Sequence, residues 1–266
     1  MSAVIAICAV CFAASLLGPM CGIGGGVIIK PVIDALGVMP VASVSFLSGV
    51  SVLTMALSTL IQHAAARKPM SLAPGVAPLA LGSAAGGVAG KATFNVAAAA
   101  LSHAELVGAA QAAVLIALSL AALAYTLAKD RIAPLRVDAV PLQIALGAVV
   151  GACWAFLGIG GGPFNLVMLG FFLAMESKPA ASASLSIIAC SQAASLLFSA
   201  ASGSVPDVAP SMLACAAIAA VAGSVAGRRL AKRMDSAAVD RLYRVSLVLI
   251  AALSAWNLAR FLELAA

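Results

Sequence analysis

Long apolar segments without charges are the feature that most restricts the fold of this chain. Residues 2–21 carry no charged side chain, and residues 104–128 carry one, Glu105. A run of about 18 or more apolar residues is typical of a membrane-spanning helix, because a helix bonds its own backbone where lipid offers no partner. Only 9% of the 266 residues are charged, against about 25% in a soluble domain. The sequence therefore predicts an all-α integral membrane protein that crosses the lipid bilayer several times.

An internal repeat divides the chain. The pentapeptide Gly-Ile-Gly-Gly-Gly occurs at residues 22–26 and again at residues 158–162. Two further matches follow in the same order in each half, PVASVSFL with PAASASLS and GGVAGK with GSVAGR. Three ordered matches at nearly equal spacing indicate a duplication. We expect two transmembrane repeats, residues 1–136 and 137–266.

Each predicted repeat has the same five apolar segments. A run, a glycine break and a short run come first, and three full-length runs follow. The segments are about 2–21, 27–36, 40–62, 70–90 and 104–128 in the first half, and about 137–157, 163–175, 179–201, 208–227 and 239–262 in the second.

The glycine breaks allow two topologies. If each break is only a kink, the chain crosses eight times, and the basic residues divide almost evenly between the two sides. If each break is the tip of a re-entrant hairpin, each half crosses three times and the two halves are inverted repeats. The first arm, residues 2–21, is long enough to span the bilayer, so the hairpin requires it to tilt or bend.

The distribution of basic residues favours the hairpin. In that topology Lys91 and Arg260 lie in loops on one side, and Lys30 lies within the first hairpin. The other side holds Arg67, Lys68, Lys129, Arg131, Arg136, Lys178, Arg228, Arg229, Lys232, Arg233, Arg241 and Arg244. Cytoplasmic loops carry the excess of Lys and Arg, so this second side is predicted to be cytoplasmic and both chain ends external.

The breaks themselves suggest an anion site. The helix that follows each break begins with unpaired N–H groups and a partial positive charge, which together attract an anion. Glycine lets the backbone approach a ligand closely. We expect substrate contacts from these glycines: Gly22, Gly24, Gly25, Gly26, Gly158, Gly160, Gly161 and Gly162. A less specific interpretation is that the glycines only permit close helix crossing.

Polar residues near the breaks complete the predicted site. Lys30 either attracts the anion or extends towards the membrane surface. Asn165 follows the second break and is able to donate a hydrogen bond, while Ser45 and Ser184 occupy matching positions in the two halves. Asp34 and Glu176 are the nearest acidic residues, and we expect them at the membrane interface.

Other function classes fit the sequence less well. A nucleotide-binding loop requires a Gly-Lys-Ser/Thr motif within a βαβ unit, and the sequence has neither. A membrane enzyme requires paired carboxylates or a histidine cluster, whereas the 9 acidic residues and 2 histidines, His63 and His103, are scattered. No nucleic-acid partner, metal or cofactor is predicted. A passive anion channel remains open from sequence.

These residues resemble a known family. The doubled GIGGG, the Pro-initiated segment after each copy, the Gly-xxx-Gly-Lys/Arg pairs and the segment AGRRLAKRMDSAAVDRLYRVSLVLIAALS are similar to the sulfite exporter TauE/SafE family. The resemblance covers nearly the whole chain, and the duplicated glycine motif is its specific part. Two features depart from the expected pattern, Lys30 in place of an apolar residue and Pro163 directly after the second motif.

The resemblance implies a permease of the bacterial inner membrane. Its substrate would be a small sulfur-containing anion such as sulfite, a sulfonate or sulfoacetate, and the expected direction of transport is export. An uptake permease for another small organic anion is the alternative. A proton is the candidate coupling ion, and the sequence does not predict an oligomeric state.

Overall fold

A computed structural model describes residues 2–65, 75–100 and 104–265. These residues form ten α-helices and no strand. The helices are α1 (Ser2–Cys21), α2 (Gly26–Leu36), α3 (Val41–Ala65), α4 (Val76–Ala100), α5 (Ala104–Ala128), α6 (Val140–Leu157), α7 (Phe164–Leu173), α8 (Ser177–Ala201), α9 (Pro210–Ala231) and α10 (Ser236–Ala265). The prediction of an all-helical chain is confirmed for this part of the sequence. The predictions for Arg67, Lys68 and His103 lie outside the described residues.

Seven of the described helices are long and apolar enough to cross a membrane: α1, α3, α5, α6, α8, α9 and α10. Helices α2 and α7 have 11 and 10 residues. At about 1.5 Å per residue, each covers roughly half of a hydrocarbon core about 30 Å thick. Helix α4 has 25 residues but is not one of the seven, because its glycines, Lys91 and Asn95 lower its hydropathy.

Glycines bring two pairs of helices into close contact. Helix α4 packs along α6, and helix α1 packs along α9. A Cβ on Gly86 would overlap the carbonyl oxygen of Ala148, and a Cβ on Gly227 would overlap that of Leu16. In lipid, helices associate mainly through such close backbone packing, so these positions require glycine.

Several contacts define one end of the helix bundle, which we call the basic end. Lys129 after α5 pairs with Asp240 near the start of α10, and Lys178 at the start of α8 donates to the carbonyl oxygen of Met234. The backbone N–H of Leu135 donates to the carbonyl oxygen of Phe171 at 2.8 Å. Helix α7 therefore ends at the basic end.

The first short helix ends at the opposite end of the bundle. Arg260 near the end of α10 donates to the carbonyl oxygens of Asp34 and Ala35, the last turn of α2. Helix α10 runs from the basic end to this opposite end, because it begins near Asp240 and finishes near Arg260. Helices α2 and α7 thus end at opposite ends of the bundle.

Two polar residues are packed more tightly against protein than the sequence suggests. Hydropathy predicts Lys91 in a loop, but α4 continues to Ala100 and buries Lys91, which is 7% exposed. The loop prediction is wrong because α4 extends past the boundary that hydropathy indicates. The Asp34 side chain is 6% exposed and pairs with Lys30, and Glu176 is exposed at the start of α8. Their position at the membrane interface stays a prediction.

Candidate functional site

The two glycine breaks meet in the core of the bundle. A Cβ on Gly24 would lie 3.2 Å from the Cα of Gly161, and a Cβ on Gly26 would overlap the carbonyl oxygen of Ile159. Residues 21–30 and 157–163 are all buried. The space directly between the breaks is therefore filled by protein backbone.

The two breaks also have the same backbone conformation. Gly22 and Gly158 both have φ +66°, and Gly24 and Gly160 both have φ +71°. These angles lie in the left-handed region, which favours glycine over residues with a Cβ. Two segments separated by more than a hundred residues therefore form the same turn.

Each turn carries amides without acceptors. No described group accepts a hydrogen bond from the backbone N–H of Gly24, Gly25 or Gly26, nor from that of Gly160, Gly161 or Gly162. A left-handed residue followed by a right-handed one, as at Gly24 and Gly25, directs successive N–H groups to one side and favours an anion. The breaks therefore present unpaired donors at the centre of the bundle.

A chain of hydrogen bonds ties the second break to the first. The Nε1–H of Trp154 donates to Asn165 Oδ1 at 2.8 Å, and Asn165 Nδ2 donates to Ser184 Oγ at 2.9 Å. The Ser184 hydroxyl then donates to the carbonyl oxygen of Gly22 at 2.6 Å. All four residues are buried. This network fixes the position of Gly22 relative to the helix that begins after the second break.

A small cavity beside the second break contains a buried cation; we call it the lysine chamber. It has a volume of about 10 Å³, and its polar lining comes from Ser45, Lys91, Gly158, Gln192, Ser195 and Ser199. The Nζ of Lys91 lies 4.6 Å from the centre of the Phe94 ring. No described carboxylate is within ion-pair distance of Lys91. Ser45 Oγ, also buried, has no hydrogen-bond partner in the part of the chain that the structure describes.

A second cavity, the aspartate chamber, lies on the other side of the same break. It has a volume of about 20 Å³, and the residues that matter chemically are Lys30, Asp34, Gln111, Ile159, Ser254 and Asn257. Lys30 Nζ pairs with Asp34 Oδ2 at 2.8 Å. Lys30 is 3% exposed, so its ammonium group is enclosed by protein.

The predicted site residues lie in the two chambers, in the hydrogen-bond network and at the glycine breaks. Gly158 and Ser45 line the lysine chamber, and Lys30 lines the aspartate chamber. Asn165 and Ser184 are bonded to other protein groups. Gly24, Gly26 and Gly161 form the contact between the breaks. The other glycines of the two motifs pack against neighbouring helices, and they are Gly22, Gly25, Gly160 and Gly162. Substrate contact by these residues stays a prediction.

Sequence reasoning misses three buried polar residues next to the second break. The hydropathy boundary places Lys91 in a loop, and Gln111 and Asn257 are absent from the predicted site. A usable signal exists for Lys91, because the alanine-rich residues after it extend a helix that the hydropathy boundary ends too early. Gln111 and Asn257 are isolated polar residues in apolar helices, a pattern that indicates a functional position in a membrane protein.

A family of known proteins matches most of the chain. The model of the family described as Sulfite exporter TauE/SafE matches residues 7–255, a range that includes both glycine breaks and the lining of both chambers except Asn257. No curated protein and no solved structure gives a significant match to the chain.

Proposed function

The chain belongs to the sulfite exporter TauE/SafE family, and we propose that it is a secondary transporter that exports a small sulfur-containing anion across the bacterial inner membrane. Sulfite, a sulfonate or a sulfoacetate-like compound is the substrate class. An ion gradient or the membrane potential drives transport.

The proposal includes two inverted repeats, residues 1–136 and 137–266. Three features of the packing support it. Helices α2 and α7 occupy corresponding places in the two halves yet end at opposite ends of the bundle. The contact of α4 with α6 has its counterpart in the contact of α9 with α1. The two breaks share the same φ angles. An inversion of one half relative to the other accounts for all three.

The re-entrant hairpin is supported by the direction of the helices around each break. Gly223 packs against Phe12 and Gly227 against Leu16, so α1 runs parallel to α9. Helix α9 ends at the basic end, so α1 starts at the opposite end, where α2 also finishes. Only residues 22–25 separate the end of α1 from α2, which runs back to the opposite end.

The positions of the basic residues support one orientation in the membrane. Ten of the twelve basic residues predicted on one side belong to described helix ends and connections at the basic end. The excess of Lys and Arg on cytoplasmic loops assigns this end to the cytoplasm. The N-terminus of α1 and the connection between α2 and α3 then face outward.

The burial of Lys91 is the observation on which the proposed function rests. A buried cation without an acidic partner is costly in a membrane, and such residues usually serve a substrate or ion. Lys91 shares a chamber with Gly158 of the second break. An oxyanion bound there would supply the missing counter-charge and accept hydrogen bonds from the ammonium group.

Neighbouring groups suit the oxygens of such an anion. Ser45 Oγ has no partner. Gln192 borders the second break, since a Cβ on Gly160 would lie 2.5 Å from Gln192 Nε2. The unpaired amides of residues 160–162 add donors on the adjacent side. Asn165 and Ser184 position the first break through their hydrogen bonds and are assigned no direct contact with the substrate.

The lysine chamber is too small to hold the proposed substrate in this conformation. A volume of about 10 Å³ holds about one water molecule. An oxyanion of four or more heavy atoms requires the side chains of Ser45 and Gln192 to move apart. The conformation is therefore an occluded one, and transport requires the two repeats to shift relative to each other.

Flux into proteoliposomes tests the proposal. The purified chain is reconstituted, and uptake of sulfite, sulfate, thiosulfate, taurine and sulfoacetate is compared with protein-free vesicles. We expect protein-dependent flux of at least one sulfur anion that saturates and shows counterflow. Flux that rises linearly with concentration and lacks counterflow would indicate the passive channel instead, and flux of none of these anions would contradict the proposal.

A further inference from the structure

Four oxygen atoms in the lining of the aspartate chamber have no hydrogen-bond partner among the described residues. They are Asp34 Oδ1, Gln111 Oε1, Ser254 Oγ and Asn257 Oδ1. Their residues come from three helices, α2, α5 and α10. Gln111 and Asn257 are 3% exposed, Ser254 is 1% exposed, and the Asp34 side chain is 6% exposed. Buried polar atoms are nearly always satisfied, so four orphans around one cavity indicate an absent ligand.

Hydrogen bonds from the side-chain amide nitrogens of Gln111 and Asn257 fix the orientation of these two side chains. Gln111 Nε2 donates to the carbonyl oxygen of Phe156 at 2.6 Å, and Asn257 Nδ2 donates to the carbonyl oxygen of Pro31 at 2.8 Å. A flipped amide would place an oxygen against a carbonyl oxygen in each case. The chamber is therefore lined by amide oxygens and not by amide nitrogens.

Carboxylate and amide oxygens accept hydrogen bonds and do not donate them. Asp34 Oδ1, Gln111 Oε1 and Asn257 Oδ1 therefore cannot satisfy one another. A ligand in the chamber must bring protons or positive charge, as a water molecule or a small cation does, which excludes an anion.

The volume of the aspartate chamber and the charge of its lining further restrict the ligand that it binds. The chamber volume of about 20 Å³ matches one water-sized species. A single carboxylate, already shared with Lys30, provides too little negative charge for a divalent metal. No group of three or more His, Cys, Asp or Glu that suits a metal occurs in the described ranges.

We propose that the aspartate chamber binds a small monovalent cation, hydronium or Na⁺, through Asp34, Gln111, Ser254 and Asn257. The cation uses the free Oδ1 of Asp34, while Lys30 stays paired with Oδ2 at 2.8 Å.

The chamber has a route to the outer end of the bundle. Asp34 also lines a cavity of about 460 Å³ together with Glu105, Arg260 and residues of the connection between α2 and α3. Asp34 therefore separates this outer cavity from the inner chamber.

The cation site adjoins the anion site of the proposed function, and this part of the inference rests on that function. Ile159 lines the aspartate chamber and Gly158, its neighbour in the chain, lines the lysine chamber. A cation in one chamber lowers the electrostatic cost of an anion in the other. Binding of the cation therefore raises the affinity for the anion, and binding of the anion raises the affinity for the cation.

Thermal unfolding of the purified full-length chain tests the cation site. In the sodium arm, NaCl replaces choline chloride at fixed pH and ionic strength. In the proton arm, pH is lowered in choline chloride. A ligand that binds only the folded state raises the melting temperature. We expect stabilisation in at least one arm, and the arm that responds identifies the ion.

Two variants locate the effect. Ser254→Ala removes one unpartnered oxygen, so it leaves the fold intact and raises the half-saturating cation concentration about fivefold or more. Ser246→Ala, on the same helix but beside Cys21, serves as the matched control and keeps the wild-type response.

In the proton arm the charged groups facing Asp34 are Lys30 on α2, Glu105 on α5 and Arg260 on α10. Glu105→Gln must therefore also keep the wild-type response.

The outcomes separate the cation site from the transport function. No stabilisation in either arm, or equal responses in the wild type and Ser254→Ala, overturns the cation site. Anion flux in proteoliposomes would still stand in that case. A cation response that depends on Ser254 without flux of any tested anion supports the chamber and contradicts the proposed function.

Discussion

Ser184 Oγ donates a 2.6 Å hydrogen bond to the carbonyl oxygen of Gly22, a residue 162 positions earlier in the chain. A helix of the second half thereby holds the glycine break of the first half. The same hydroxyl accepts a hydrogen bond from Asn165, which follows the second break. Both breaks are therefore connected through one buried side chain.

Replacing this hydroxyl tests its role in the fold. Ser184→Ala leaves Asn165 Nδ2 and the Gly22 carbonyl without their shared partner, and we expect a loss of about 1–3 kcal/mol in the free energy of unfolding. Ser199→Ala is the matched control, because Ser199 is equally buried on the same helix but its hydroxyl bonds only its own helix, at Ser195. Thermal melts in detergent that show equal losses for the two variants would contradict the connecting role.

The contact between the breaks predicts a steric effect at Gly26. In Gly26→Ala the new Cβ overlaps the carbonyl oxygen of Ile159, a backbone atom that cannot rotate away. We expect destabilisation of about 1–3 kcal/mol or more. Gly170→Ala adds a Cβ whose nearest atom is 3.5 Å away, on Tyr125, and should be neutral or slightly stabilising. Similar melting temperatures for the two variants would show that the breaks do not touch.

The hairpin predicts a membrane topology. Reporters fused before Ser2 and after Met39 should both report the outer side, because α1 and α2 enter and leave at the same end. A reporter fused after Arg131, at the basic end, should report the cytoplasm. Opposite sides for the first two fusions would refute the hairpin.

Trp154 offers an optical readout of the second break. It is 2% exposed and bonded to Asn165, whereas Trp256, the second tryptophan of the chain, is 66% exposed. In Trp256→Phe the remaining emission should be blue-shifted and poorly quenched by acrylamide. A saturable change on addition of sulfite is expected, because the anion binds next to the break that Trp154 contacts. Emission that acrylamide quenches as in free tryptophan would contradict the burial of Trp154.

The helical architecture is largely predictable from the sequence. Uncharged apolar runs identify membrane helices directly, and the runs correspond in order to α1–α10. The repeated pentapeptide also identifies the centre of the structure, where Gly24 and Gly161 approach each other. Glycine carries this signal because a larger residue fits neither the backbone angle nor the space.

The depth of individual polar residues is not predictable in the same way. Hydropathy ends the α4 segment near residue 90 and so places Lys91 in a loop. The alanines after Lys91 continue the helix through propensity, which a hydropathy boundary does not register. The orphan oxygens of Gln111 and Asn257 depend on the packing of α5 against α10, and no local pattern reports a contact between distant helices.

Lys91 is the centre of the functional account, and its removal has opposite effects on stability and binding. Deleting a buried charge that has no acidic partner among the described residues should leave the melting temperature of Lys91→Gln unchanged or higher. The lost charge-assisted hydrogen bond costs about 1.5–3 kcal/mol, which is about tenfold or more in affinity. Lys178→Gln at the exposed basic end is the control and should bind as the wild type does.

Sulfite binding to purified Lys91→Gln, measured by calorimetry beside the wild type and Lys178→Gln, is the most direct test. We predict that the wild type and Lys178→Gln bind with the same affinity, and that Lys91→Gln binds at least about tenfold more weakly while unfolding at the same or a higher temperature. Unchanged sulfite affinity in a folded Lys91→Gln variant would contradict the assignment of the lysine chamber as the anion site.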